Sequence, residues 1–254
     1  MYRIVFLDID GTLLDSQGDL DSKLVKTIKE IQQKGILVGL ATGRSFDGAL
    51  KYGEQIGCSI YVTYNGGYVV SDRNIIHDVK IPSSLAFHLC SHTDELGGTY
   101  IQYSYRTSRS NQPPRGIEYL LPVPEASNLL DTNRDAHRLV LYLDQYQRSI
   151  LQEKIKDAAS FDEGDRLEVF PKGSKWTGIL PLINQLGISP EEVVTIGNGT
   201  NDIEMLDAAG LGIAMGNASE CVKESANFVT ADNDHEGVIL ALSKVFNLQN
   251  QLTS

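Results

Sequence analysis

The sequence predicts an α/β fold, a parallel sheet with an α+β unit inserted into it, and three observations lead there. Short, mainly apolar runs such as YRIVFLD (2–8), ILVGLAT (36–42) and VVTIG (193–197) fit strands buried on both faces. Helical patterns separate these runs, and strands alternating with helices pack as a parallel sheet covered on both sides. The stretch 82–170 breaks this rhythm and contains the most loop-like segment of the chain.

The elements follow in order. After the first strand, Leu20, Leu24, Ile28 and Ile31 recur at helical spacing, with Asp21 or Ser22 as N-cap and Gly35 just past the end. The second strand leads into a helix from about Ser45 to Ile56. SIYVTY and YVVSD flank Asn65-Gly66-Gly67, a hairpin turn signal. Within the insert we expect a helix over 85–96, a strand pair around TYIQYSYR, and the polar stretch RTSRSNQPPRG. HRLVLYLD, a helix over 146–159 and RLEVF complete it. The last third repeats the opening rhythm: VVTIG, a helix over IEMLDAAG, LGIAM, a helix over SECVKESA, NFVT and a final helix to about Phe246. Residues 1–81 and 171–254 therefore form one discontinuous core, and 82–170 an inserted domain.

Composition narrows the function. A chain of 254 residues with 41% hydrophobic and 22% charged residues is that of an ordinary globular protein. Its formal charge, 22 − 33 = −11, argues against a nucleic-acid polymer or an anionic membrane as partner. Cys58, Cys90 and Cys221 are far apart and read as reduced core residues. His77, His88, His92, His137 and His235 are scattered and read as structural. With no signal-peptide pattern at Met1 and no apolar run near the length of a membrane span, we expect a soluble, cytoplasmic protein. The oligomeric state is left open.

The chemistry concentrates at strand ends. In FLDIDGTLL, Asp8 and Asp10 follow an apolar run and precede Gly11. Carboxylates at i and i+2 where a parallel strand ends lie at the ligand-binding edge of an α/β sheet. Placed this close they repel unless a cation or a proton lies between them.

DIDGTLL resembles the first motif of the haloacid dehalogenase (HAD) phosphohydrolase superfamily, and the remaining motifs follow in order. LATGR (40–44) is similar to the second, PKGSKWTGI (171–179) to the third and IGNGTNDIEML (196–206) to the fourth. AMGNA (214–218) and the VT…DNDHEGV region resemble the C-terminal signature of the Cof-type subfamily. Between Asp10 and Thr42 lie 42 − 10 − 1 = 31 residues, and between Thr42 and Lys175 lie 175 − 42 − 1 = 132. Only the second interval has room for a hairpin and a domain, which matches the subtype whose α/β cap enters between the second and third motifs. The resemblance thus implies a Rossmann-like core with that cap folded over it.

It also implies roles. Asp8 would attack phosphorus and form an aspartyl-phosphate. Asp10 would protonate the leaving oxygen and then deprotonate the hydrolytic water. Mg²⁺ would be bound by Asp8, the backbone carbonyl of Asp10, and Asn198. The Ile9 amide, the Thr42 hydroxyl and the Gly43 amide would contact the phosphoryl oxygens. Lys175, with Lys172 as the alternative, would neutralise charge developing there. Asn201 would add a phosphate contact and Asp202 would bond to metal waters or to the lysine. Arg44 would reach the substrate or lie on the surface, and the basic stretch with Arg106, Arg109 and Arg115 would be a solvated loop or, on a cap facing an anionic site, greet the substrate. The family usually has aspartate where this chain has Asn198, so two functions stay open. One is a Mg²⁺-dependent phosphatase of sugar phosphates, nucleotides or cofactor phosphates. The other is a catalytically attenuated binder of phosphate ligands.

Overall fold

The computed structural model describes residues 1–112, 125–126 and 135–248. Its centre is β1 (Ile4–Leu7), whose four side chains are all fully buried. β1 lies between β2 (Leu37–Ala41) and β12 (Val193–Gly197), parallel to both, with Leu7 level with Leu40 and Ile196. This register brings the carboxyl ends of the three strands to one edge. Beyond β12 come β13 (Leu211–Ala214) and β14 (Phe228–Val229); beyond β2 comes β3 (Ile60–Thr63), all parallel. The sheet then continues through β4 (Tyr68–Ser71) and β5 (Asn74–Asp78), which are antiparallel, giving the order β14-β13-β12-β1-β2-β3-β4-β5.

Helices form where apolar periodicity and caps agree. α1 (Ser22–Gln33) starts at Asp21, whose side chain accepts from the Lys23 amide, and buries Leu24, Ile28 and Ile31. Asp21 and not Ser22 is therefore the cap. α2 (Phe46–Ile56) is capped by Ser45 and ends at Gly57 in the left-handed conformation. Among the described residues, no helix is long and apolar enough to cross a membrane.

The inserted segment builds a second sheet with its own core. α3 (Ser83–Glu95) leads to β6 (Thr99–Ser104) and β7 (Thr107–Ser110), and Glu125–Ala126 forms the short β8. β9 (Arg138–Tyr142), α4 (Gln145–Lys154), β10 (Ala158–Asp162) and β11 (Leu167–Pro171) complete it. The strand order is β10-β11-β9-β6-β7-β8, antiparallel except for the β7–β8 pair. Tyr100, Leu139, Leu141, Leu167 and Val169 pack beneath α3 and α4. The helix expected over 146–159 stops at Lys154, because Ile155 turns extended and 158–162 pairs along the whole of β11. Ala158 and Ala159 favour helix locally, but the unpaired edge of β11 recruits them as a strand.

Candidate active site

Asp8 and Asp10 leave β1 through a tight turn over Ile9–Leu13, inside which Gly11 has φ of +73°. A side chain on Gly11 would be strained there, and its Cβ would lie 2.5 Å from the Asn198 amide. The turn buries Ile9 and separates its neighbours by depth: Asp8 is 5% exposed, whereas the Asp10 side chain is 61% exposed.

Lys175 meets Asp8 from across the sheet. It is the first residue of α5 (Lys175–Gln185), which Ser174 caps, and Nζ donates to Asp8 Oδ1 and to Asp202 Oδ1, each at 2.6 Å. The close approach of α5 depends on Gly66, where a Cβ would fall 2.0 Å from the Ser174 carbonyl oxygen. Lys172 is exposed. Lys175 and Asp202 are both 0% exposed, and Asp202 Oδ2 also accepts from the amides of Asn198 (2.9 Å) and Gly199 (2.8 Å). Burial pushes the Asp8 carboxyl up to about 7, against the opposing pull of the Lys175 ammonium. Burial also disfavours the ammonium, but Asp202 and Asp8 outweigh it and hold Lys175 charged, above the ordinary lysine range. With both carboxyls ionised, two carboxylates around one ammonium carry one negative charge more than it offsets.

Thr42, 1% exposed, follows β2, and its Oγ1 accepts from the Arg44 amide at 3.1 Å. Arg44 grips Asp10 with two bonds, Nε to Oδ2 at 2.8 Å and Nη2 to Oδ1 at 2.6 Å, and lies over the Tyr52 ring. Asn201 Nδ2 donates to Asn65 Oδ1 at 2.9 Å. Asp8, Asp10, Thr42, Gly43, Asn198 and Asn201 line one cavity of about 290 Å³. Its opposite wall comes from the second sheet: Arg138, Phe161, Glu163, Arg166 and Glu168. Glu168 accepts from both Arg138 and Arg166, at 2.5 and 2.8 Å.

The Asn198 amide is surrounded by oxygens. With Nδ2 turned toward them it donates to Asp10 O at 2.8 Å, Thr12 Oγ1 at 3.0 Å and Asp8 Oδ2 at 3.3 Å. In the opposite orientation the Thr12 hydroxyl donates to Asn198 Oδ1 at 3.0 Å, and Asp10 O and Asp8 Oδ2 face an oxygen.

Across residues 5–242 the chain matches the haloacid dehalogenase-like hydrolase family. The chain belongs to that family. YkrA of Bacillus subtilis (strain 168), whose own phosphatase assignment is provisional, is 28% identical over 257 residues, 96% of this chain and 97% of its own. The 5-amino-6-(5-phospho-D-ribitylamino)uracil phosphatase YcsE of the same organism is 27% identical over 249 residues, covering 94% of each chain. Among solved structures, a sugar phosphatase of HAD subclass IIB superposes with a TM-score of 0.86 at 25% identity, covering 96% of this chain and 99% of the other. The protein is thus a HAD phosphatase with the α/β fold of that family.

In this HAD phosphatase Asp8, Asp10, Thr42, Gly43, Asn198 and Asn201, all singled out from sequence, line one cavity, and Lys175 bonds Asp8 to Asp202. Arg44 lines this cavity and at the same time holds Asp10. In the basic stretch, Arg106 pairs with Asp47 on α2 at 2.5 Å, and Arg115 lies outside the described residues. Sequence reasoning missed Asn65, Arg138 and Glu163. Asn65 carried a signal, the Asn-Gly-Gly turn, but read only as a hairpin. Among the described residues no group of three His, Cys, Asp or Glu gathers for a metal. The all-oxygen set of Asp8 Oδ2, Asp10 O and Asn198 Oδ1 nevertheless suits a hard cation, and the surplus negative charge at Asp8 favours one.

Proposed function

We propose that this protein is a Mg²⁺-dependent phosphatase of small phosphorylated metabolites, acting through an aspartyl-phosphate on Asp8. The observation that carries the reading is a buried Asp8, braced by Lys175, in one cavity with an exposed Asp10 held by Arg44. An Asp8 oxygen attacks phosphorus in line with the ester oxygen, which leaves with a proton from Asp10. Asp10 then takes a proton from water as that water attacks the aspartyl-phosphate. Inorganic phosphate departs and Asp8 is restored. The amides of Ile9 and Gly43, the Thr42 hydroxyl, Lys175 and Asn201 would hold the phosphoryl oxygens as their charge shifts. Asp202 orients Lys175. Mg²⁺, held by Asp8, the Asp10 carbonyl and Asn198 turned to present Oδ1, would screen the charge between carboxylate and phosphate.

Residues 82–170 are proposed as a cap whose wall, Arg138, Phe161, Glu163, Arg166 and Glu168, meets the leaving group. Its mixture of guanidinium and carboxylate groups suits a leaving group rich in hydroxyls, in keeping with the sugar and ribityl phosphates named for the relatives. Sugar phosphates, nucleotides and cofactor phosphates are the substrate classes to test. The free cysteines Cys58, Cys90 and Cys221 accord with a reducing, cytoplasmic setting. One observation favours a second reading, an attenuated phosphate binder: Asn198 brings no charge to the cation.

The experiment is phosphate release from an aryl phosphate and a phosphometabolite panel, with and without Mg²⁺, for the wild type and Asp8→Asn. Turnover that needs Mg²⁺ and vanishes in Asp8→Asn is expected. Undiminished turnover by Asp8→Asn, or in excess EDTA, overturns the mechanism. Tight phosphate binding without turnover supports the binder.

A further inference from the structure

The turn between β3 and β4 holds two adjacent non-glycine residues, Tyr64 and Asn65, in the left-handed region, both at φ of +52°. Such a conformation persists only where the surroundings impose it. Here the Tyr64 amide donates to the Arg44 carbonyl and the Asn65 amide to the Thr42 carbonyl, both at 3.0 Å. Tyr64 Oη donates to the Tyr105 carbonyl in the insert at 2.7 Å, and its ring stacks on His137 at 5.2 Å. The Asn65 side chain, 5% exposed, lines the cavity and accepts from Asn201 through Oδ1. One residue thus bonds the loop after β2 with its backbone and the loop after β12 with its side chain.

We propose that Asn65 is a positioning residue for phosphate binding, a role that rests on the phosphatase reading above. Asn201 Nδ2 carries two N–H groups. By accepting one, Asn65 Oδ1 fixes which way the Asn201 amide faces and directs the other N–H into the cavity. Without that acceptor the amide is free to rotate and to offer its own oxygen to an anionic group, which repels it. The backbone bond from Asn65 to the Thr42 carbonyl sets the height of the Thr42–Gly43 segment against the same anion. The strained turn therefore holds two phosphate-contacting loops, from residues 136 apart in the case of Asn65 and Asn201, at one distance.

The test measures inhibition by inorganic phosphate, kcat and KM on an aryl phosphate, and Tm, for Asn65→Ala, Asn65→Gly, Asn201→Ala and Asn65→Ala/Asn201→Ala. Asn65→Gly keeps the left-handed backbone without strain, so the question is answerable if Asn65→Ala does not fold. Each single variant is expected to weaken phosphate inhibition by about fivefold, the worth of one neutral hydrogen bond, and the double variant by no more than the worse single one. Asn65 variants with lowered Tm but wild-type phosphate inhibition would reduce Asn65 to a folding role and overturn the proposal. Effects that multiply in the double variant would also overturn it, because Asn65 would then act without Asn201. A wild type that neither binds phosphate nor hydrolyses esters overturns the phosphatase reading itself, and shows this before any variant is made.

Discussion

Replacing Asn198 by aspartate should have opposite consequences with and without a divalent cation. Without one, the Asn198 amide donates to Asp10 O, Thr12 Oγ1 and Asp8 Oδ2 at 2.8, 3.0 and 3.3 Å, so it occupies the oxygens as a cation would. A carboxylate there keeps only the Thr12 hydroxyl as a donor and loses two bonds, about 1 kcal/mol each. It also sets two carboxylates about 3.3 Å apart, which at an effective dielectric of 20 costs about 5 kcal/mol. That repulsion is capped, because Asp8 is already pushed to about 7 and accepts a proton near neutral pH at little cost. The expected net loss in EDTA is therefore about 2 kcal/mol, roughly 5 °C in Tm for a chain of this size. With Mg²⁺ the sign reverses: the added charge should lower the half-maximal Mg²⁺ concentration about tenfold, equivalent to about 1.4 kcal/mol. The assay is thermal unfolding of both proteins across a Mg²⁺ titration starting from EDTA, with phosphate release measured in parallel. Peptide mass analysis must confirm position 198, because Asn198-Gly199 is prone to deamidation. Equal Tm in EDTA together with equal Mg²⁺ dependence would refute the placement of this side chain among the cation's oxygens.

Three further outcomes are expected. Arg44→Ala should change stability by less than about 1 kcal/mol, since its pair with Asp10 is partly exposed. Its kcat on alkyl phosphates should nevertheless fall by about a hundredfold, with a smaller fall on aryl phosphates, whose leaving group needs the acid less. Lys175→Met strands Asp8 and Asp202 as buried, unpaired carboxylates and should cost about 3–5 kcal/mol by denaturant unfolding, part of which Lys175→Met/Asp202→Asn restores. His137 is buried, accepts from the Tyr105 amide through Nδ1 and meets Asp78 through Nε2; burial holds its pKa below the ordinary 6.5 despite Asp78. A depressed histidine contributes stability present above its unfolded pKa and lost as pH falls through the folded one, so this group should steepen any fall of Tm as pH drops below about 6.5. His137→Gln should flatten that slope, and an unchanged slope would show that His137 is not the group responsible.

The parts of this architecture that local chemistry dictates were legible from residues alone. β1 is apolar at every position because both its faces are covered, and Asp8 and Asp10, directly after that run, mark the strand end where a cavity lies. Asp21 and Ser45 stood where helix starts were expected, and their side chains accept the capping bonds there. What escaped depends on partners distant in sequence. Arg44 follows Thr42 by two residues, but only the fold shows that its guanidinium turns to Asp10, 34 positions earlier. Ala158 and Ala159 carry a helical preference that the edge of β11 overrides. Among the described residues, β9, β10 and the segment leading into β11 supply the facing wall of the cavity, and a guanidinium tied to an internal glutamate makes no charge run in sequence.

The spacing of two residues between Asp8 and Asp10 gains its meaning from where β1 ends. Both side chains face the same edge, yet Asp8 still belongs to the sheet while Asp10 lies in the turn that Gly11 permits. Asp8 is consequently enclosed, its Oδ1 fixed by Lys175 and its Oδ2 beside Asn198. Asp10 stays in reach of solvent, and Arg44 restrains it from outside. A nucleophile needs the first environment: a carboxylate held in one orientation and shielded from water until phosphorus arrives. An acid–base group needs the second, because it must exchange protons with a leaving group and then with water. In the proposed mechanism two chemically identical carboxyls would therefore divide the labour through burial and through which cation each one faces, Lys175 within and Arg44 without.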